Sequence, residues 1–397
     1  MAINTFDTVQ ISTILNDIVG QAAGQASLAQ IDTKDFVAVA RVGLQAGYDK
    51  LNTAISQLLS RTIYSNRPYS EKLRLMDVDN FQYGNHVRKI QFLDSDWEDN
   101  DAYKLTDGQS IDAWEVKKPK AFQDNFYGAV TAMRWVTVYR DQLKQAMTGP
   151  QEFGNFFASL MTNLQDQIVM KNEETKRMTL ANLIGGTISS GVATQVVNLV
   201  TDYNTAIGSP SPALTLADLL DPQYFEDFAR YIFGRITAVS RAMTDRTVLF
   251  HQNPTSASPV SGYVHRHTPV QDQRLVLFAP FFDRVNTNVL STTFNDEYLK
   301  LMPHEFVNYW QNANAPQSLY VDASYTDNAG AIQNAVVNKQ TVLGVLFDRE
   351  AAGVTLIGDD EMDSVYNARG KYYNHFASFE SRYYNDNFEN AVVFLLE

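Results

Sequence analysis

Cysteine is absent from all 397 residues. That excludes disulfides, thiolate metal sites and a cysteine nucleophile. Cations are outnumbered, with 32 Lys and Arg against 45 Asp and Glu, for a formal net charge of −13. Sequence-independent nucleic-acid binding needs clustered Lys and Arg, so tight binding of that kind is not expected. No apolar run approaches about 18 residues, so no membrane span is read. No basic stretch followed by an apolar one opens the chain, so no secretory signal is expected. Phosphate loops and G-x-S-x-G elbows are missing. His304-Glu305 begins like a zinc-protease helix, but Asn308 stands where the second His belongs. His265 and His267 flank Arg266. Two ligands without a thiolate read as loop or surface histidines rather than a metal site. Neither enzyme chemistry nor a cofactor is expected.

What is present points to a packed chain, because 45% of the residues are hydrophobic. Its length allows two or three compact units. The stretch Gly149–Gly186 predicts one long helix on which the rest is organised. Pro150 suits its first turn, and Glu152 favours its N-terminal dipole. Phe153, Phe156, Phe157, Leu160, Leu164 and Ile168 recur at helical spacing and can face a sheet. The pattern turns polar from Lys171 to Arg177, then apolar at Met178, Leu180 and Leu183. Gly185 and Gly186 are expected to stop the helix.

Before it, a short helix is read over about Thr8–Gly20 and an amphipathic one from Asp32 or Thr33 to about Ser60. From Leu73 to Val138 the period changes to two, so a long two-stranded arm is expected. At roughly 20 residues a side it would reach about 65 Å. A lone hairpin is marginal in water, so such an arm wants a partner surface. Its polar middle carries Asp94, Asp96, Glu98, Asp99 and Asp101. An EF-hand loop would need Gly at Asp99 and Glu at Leu105, so a solvated acidic tip is read instead of a calcium site. Lys117, Lys118 and Lys120 return along the other side and offset part of that charge. Contact of this tip with a basic patch on an adjacent subunit is the expectation for these eight residues. Lys89 and Lys104 are read as solvated.

After the long helix, strands are expected at Val192–Val200, Thr247–His251, Leu275–Phe278, Thr341–Phe347 and Val354–Ile357, and a helix at Asp221–Met243. Gly208–Pro212 reads as a boundary. Helices and strands mix without a βαβ rhythm, which gives an α+β class.

This order resembles the major capsid proteins of tailed bacteriophages, with the Hong Kong 97 phage fold. Two stretches resemble the phi-29 group of short-tailed phages more specifically. Asn367-Ala368-Arg369-Gly370-Lys371-Tyr372-Tyr373-Asn374 is similar to that group's N-x-R-G-aromatic start. Phe388-Glu389-Asn390-Ala391-Val392-Val393-Phe394 is similar to its F-x-N-A-V-x-F end. A weaker patch is Leu275-Val276-Leu277-Phe278 with Val289-Leu290 and Phe294-Asn295.

The resemblance implies an N-terminal arm at 1–64 and an extended β-hairpin loop at 65–128. It implies a peripheral domain at 129–211 with a spine helix at 150–184, and an axial domain at 212–366. C-terminal strands at 367–397 would return to the core. It further implies pentamers and hexamers closing an icosahedral shell around double-stranded DNA, without sequence-specific contacts and without a membrane. A separate scaffolding protein and a portal protein are the implied partners. The implied location is the virion capsid, after synthesis in the host cytoplasm. No stretch reads as that group's immunoglobulin-like extra domain, and no Lys–Asn–Glu cross-linking constellation is recognisable. An encapsulin-like compartment protein shares the implied fold and is the first alternative; a non-shell enzyme or binding protein is the second.

One outcome follows from composition and motifs together. Boiled particles should run as a single band near 44.7 kDa. A ladder of dimers to hexamers would contradict it.

Overall fold

A computed structural model of the chain describes residues 15–18, 40, 71–78, 87–94, 106, 107, 110, 114, 116, 118, 120–147, 149–253, 264–288 and 302–397. Residues 15–18 and Ala40 are helical. The remainder of the two expected N-terminal helices lies outside the described residues.

The long helix α2 runs from Pro150 to Ser189, after the short helix α1 at Arg140–Ala146. Pro150 takes the expected first position. The helix does not stop at Gly185-Gly186. These glycines mark a close approach: a Cβ on Gly185 would lie 2.7 Å from both Ala323 Cβ and Val321 Cγ1. Termination comes at Gly191, whose φ of +76° favours glycine.

Two sheets flank this helix. Strand β3 (Ala129–Tyr139) pairs antiparallel with β11 (Tyr372–Asn385), which pairs antiparallel with β10 (Ala352–Asn367). One face of this sheet, with Val138, His375, Ala377 and Phe379 buried, packs on α2. The second sheet has the order β4-β12-β9-β5-β6. Its strands are β4 (Val196–Asn198), β12 (Ala391–Leu395), β9 (Val342–Asp348), β5 (Gln273–Phe278) and β6 (His304–Val307). Strands β9 and β12 are buried along their whole length, as unbroken apolar runs covered on both faces should be. Leu180, Leu183 and Ile184 near the end of α2 join this core. A hairpin of β7 (Leu319–Thr326) and β8 (Ile332–Lys339) lies on α2 beside the two glycines.

Helices α3 (Leu199–Ala206) and α4 (Leu216–Leu219) precede α5 (Pro222–Thr244), and α6 (Ala279–Asn288) follows β5. Helix α5 matches its expected span. The Asp221 side chain caps it by accepting from Gln223 N at 3.2 Å. Phe225, Phe228, Ile232, Ile236, Val239 and Met243 form its buried stripe. Each such burial contributes about 1.5–3 kcal/mol.

Three readings need correction. The strand expected at Val192–Val200 is only Val196–Asn198, and Leu199 and Val200 open α3; a short apolar run does not distinguish strand from helix. Thr247–His251 forms one bridge, Thr247 with Arg266, and no strand. The arm's returning strand is β2 (Ala121–Phe126), paired with β1 (Val87–Phe92) over six residues, while β3 belongs to the sheet on α2. Strand β4 pairs with β12, and β10 lies one strand from β3.

The glycine geometry gives a direct test. Gly185→Ala should lose about 1–3 kcal/mol through overpacking. Gly234→Ala, inside α5 with nothing within 4 Å of its added Cβ, should gain about 0.5–1 kcal/mol. Thermal unfolding of the two variants should therefore shift in opposite directions.

Candidate contact surfaces at the hairpin root

Two cations, one fully buried and one largely so, tie segments on either side of residues 79–86 to the body. The first is Lys176, in the polar middle of α2. Its side chain is fully buried, with Nζ 2.5 Å from Asp77 Oδ1 and 3.4 Å from Glu71 Oε1. Asn172 Nδ2 donates to Glu71 at 3.0 Å, and Lys72 N donates to Glu173 at 3.3 Å. Arg177 pairs with Glu173 at 2.8 Å and lies 4.1 Å from the Tyr309 ring centroid. Leu73, left-handed at φ 62°, donates its N–H to Glu305 Oε1 at 2.5 Å and buries its side chain. The residues from Lys171 to Arg177 broke the apolar pattern because they receive the 71–78 segment.

The second cation is Lys89 on β1. Its Nζ lies 2.9 Å from Asp386 Oδ2, 3.3 Å from Glu350 Oε2, and against Glu389 Oε1. Burial alone would lower its pKa, but Asp386 and Glu389 outweigh that and hold it above the usual lysine range. Lys89 is therefore not solvated, contrary to expectation. Arg266 Nη1 sits 3.0 Å from Glu389, its Nε donates to Phe388 O at 3.0 Å, and its Nη2 donates to Gln91. Next to this node, Asn390 Oδ1 is 3.1 Å from His251 Nδ1, and Asn390 Nδ2 donates to Thr268 Oγ1 at 3.1 Å. The 388–394 motif thus carries the carboxylate and amide that join hairpin, loop and five-stranded sheet.

Asp94 lies just past β1. Arg246 Nη2 donates to its Oδ1 at 2.6 Å, and His265 N donates to its Oδ2 at 2.7 Å. Burial opposes ionisation of Asp94, but the hydrogen bonds from His265 and the charge of Arg246 lower its pKa. Lys118 and Lys120 are exposed. Asp96, Glu98, Asp99, Asp101, Lys104 and Lys117 lie outside the described residues. His265 holds Asp94, and Glu305 holds Leu73, so both take structural partners. Among the described residues, no group of three or more His, Asp or Glu could hold a metal, and no helix is long and apolar enough to cross a membrane.

The ladder's polarity is inverted. Lys89 and Gln91 face the body, whereas Ile90 and Phe92 stand 53% and 67% exposed on the other side. A second apolar surface lies on the sheet face turned away from α2. There Met133, Trp135 and Val365 are each more than half exposed, and Phe376 pairs with Trp135 across the ladder. Sequence alternation located these faces but not their orientation, because the covered partner of the hairpin is charged.

Comparison with known proteins agrees with this layout. The model of the Phi29-like phage major capsid protein family matches residues 11–395. In fold, the chain is similar to "Capsid structure of Staphylococcus phage Andhra", with TM-score 0.53, 10% identity, and 83% and 84% of the two chains covered. It is also similar to "Structure of head fiber and inner core protein gp22 of native bacteriophage P68", with TM-score 0.53, 9% identity, and 83% and 88% covered. No curated protein matches the chain.

Burial separates the contacts by strength. Lys176→Ala should cost roughly 3 kcal/mol, since it leaves the largely buried Glu71 without its cation and empties the space of a fully buried side chain. Arg246→Ala, at an exposed pair, should cost at most about 1 kcal/mol. Denaturant unfolding of both variants checks the ratio.

Proposed function

Because this chain belongs to the Phi29-like phage major capsid protein family, we propose that its copies assemble as pentamers and hexamers into an icosahedral shell around double-stranded DNA. Its family and its fold are those of structural capsid proteins. The family match favours the phage reading over the encapsulin-like and non-shell alternatives.

One observation carries the assembly reading: the β1–β2 hairpin spends its polar face on its own chain and turns Ile90 and Phe92 outward. A chain acting alone would bury the apolar face, so exposed apolar surface of this kind marks an interaction site. The bare sheet face around Trp135 supports the same reading. Repeated contact among identical copies is the simplest closed solution. The arm at 1–64, the loop at 65–128, the peripheral and axial domains, and the strands at 367–397 are proposed to keep their roles within that shell. The proposed partners are a separate scaffolding protein, a portal protein, and DNA bound without sequence preference. Synthesis in the host cytoplasm belongs to the same proposal. The net charge of −13 would limit adhesion to the packaged DNA.

The remaining carboxylates beyond Asp94 are proposed to contact an adjacent subunit. Several partly desolvated pairs would gain together where single exposed pairs contribute little.

Assembly should therefore depend on both features. Wild-type protein should give large particles or capsomers on a sizing column and in negative stain. The double change Ile90→Asp and Phe92→Asp should leave a folded, smaller species. Asp96→Asn, Glu98→Gln and Asp99→Asn together should make particle yield less sensitive to salt between 0.1 and 1 M, where the Debye length falls from about 10 Å to about 3 Å. A wild-type chain that stays monomeric at high concentration refutes the assembly reading, and unchanged salt response in the triple variant refutes the role of the acidic tip.

A further inference from the structure

The node around Lys89 holds one carboxylate too many. Asp386 and Glu389 are buried against Lys89 and Arg266, and Asp124 stands opposite Lys89 in the β1–β2 ladder. Among the described residues, three buried or half-buried carboxylates therefore face two fixed cations, and a fourth, the exposed Glu350, sits at the rim 3.3 Å from Lys89. The geometry distinguishes the three. Asp386 accepts from Lys89 at 2.9 Å, from Gln91 Nε2 at 3.5 Å and from Phe388 N at 2.9 Å. Glu389 accepts from Lys89 and pairs with Arg266. Asp124 Oδ2 is buried without a hydrogen-bond partner, an arrangement that suits a neutral carboxyl better than a charged one.

We propose that this node is a proton-linked latch: one proton held among its carboxylates, chiefly on Asp124, keeps the hairpin root seated, and losing that proton loosens it.

The electrostatics agree in direction. Burial and the charge of Asp386 push Asp124 up to about 6, against the opposing pull of Lys89 and Arg266. Burial likewise raises Glu389, with Lys89 and Arg266 opposing. Among the described residues, the other groups facing the node are Glu350, which is exposed, and Tyr384 with Arg349 beside it. Tyr384 is pushed up to about 12 and stays neutral. His251 borders Arg266, and burial keeps its pKa low. Its effect has the opposite sign, because a histidine buried as the neutral form destabilises the seated state as pH falls.

A carboxyl whose pKa is raised by docking makes the seated root bind more protons than the released one. Seating is then strongest below the released value and weakens as pH rises through the seated value. With a released aspartate near 3.9 and a seated value near 6, seating should weaken roughly tenfold between pH 5 and pH 8.

The test is hydrogen exchange on the full-length protein, read as protection factors so that intrinsic pH effects cancel. Amides of 87–92 and 121–126 should lose roughly tenfold protection from pH 5 to pH 8. Those of β9 serve as the reference and should stay unchanged. Asp124→Asn removes the excess charge and should hold the root at its pH 5 level throughout. Wild-type root protection that stays flat, or falls toward acid as His251 would dictate, overturns the latch. So does an Asp124→Asn protein that keeps the full wild-type response. The wild-type profile decides even if that variant does not fold, and Glu389→Gln, which removes the same charge, should also flatten it.

Discussion

A charge taken out of water must keep its partners, and two ammonium groups, Lys176 fully buried and Lys89 largely so, impose that rule on this fold. Lys176 holds Glu71 and Asp77 against the middle of α2, and Lys89 holds Asp386 and Glu389 beneath the hairpin. Removing one partner of such a group leaves the other uncompensated, which costs more than the intact pair contributes. The two cations fix the 71–78 segment on α2 and the β1 ladder on the segment before β12. Segments far apart in sequence then become neighbours: 71–78 with α2 and Glu305, and β1 with the linker before β12.

The polarity of the hairpin follows from this constraint. In a strand, successive side chains alternate between faces. Once Lys89 and Gln91 turn inward to meet Asp386 and Arg266, Ile90 and Phe92 turn outward. A shell subunit gains from this arrangement, since its stable state is an assembly rather than a monomer. The same logic applies to the sheet on α2. Its inner face is spent on the helix, and Met133, Trp135 and Val365 remain available on the other.

Close packing supplies the rigidity that such surfaces need. Gly185 and Gly186 let β7 sit directly on α2, and the end of that helix reaches the core of the five-stranded sheet. That sheet is assembled from segments spread over the second half of the chain, from Val196–Asn198 to Ala391–Leu395. Such long-range pairing makes the two sheets and the helix between them a connected scaffold for the hairpin root.

Local pattern was enough to determine the long helix with Pro150 at its start, the span of helix α5, and the apolar strands β5 and β9, whereas the C-terminal strands were implied only by the capsid-protein resemblance. The physics there is short-range: periodicity, capping and continuous apolar runs depend on neighbours in sequence. The two phi-29-like stretches were also legible, though not the reason for them. Asn390 and Glu389 serve buried hydrogen bonds and charges that exist only when β12 meets the hairpin and the His251 loop. Gly185-Gly186 read as a stop because a glycine's need for close packing cannot be seen without the strand that packs on it. Lys89 and Lys176 read as polar because sequence shows a charge but not its partner, and the carboxylates of Lys89 lie about 300 positions away. Tertiary structure alone decided which face of the hairpin is covered, because that choice was made by those distant charges.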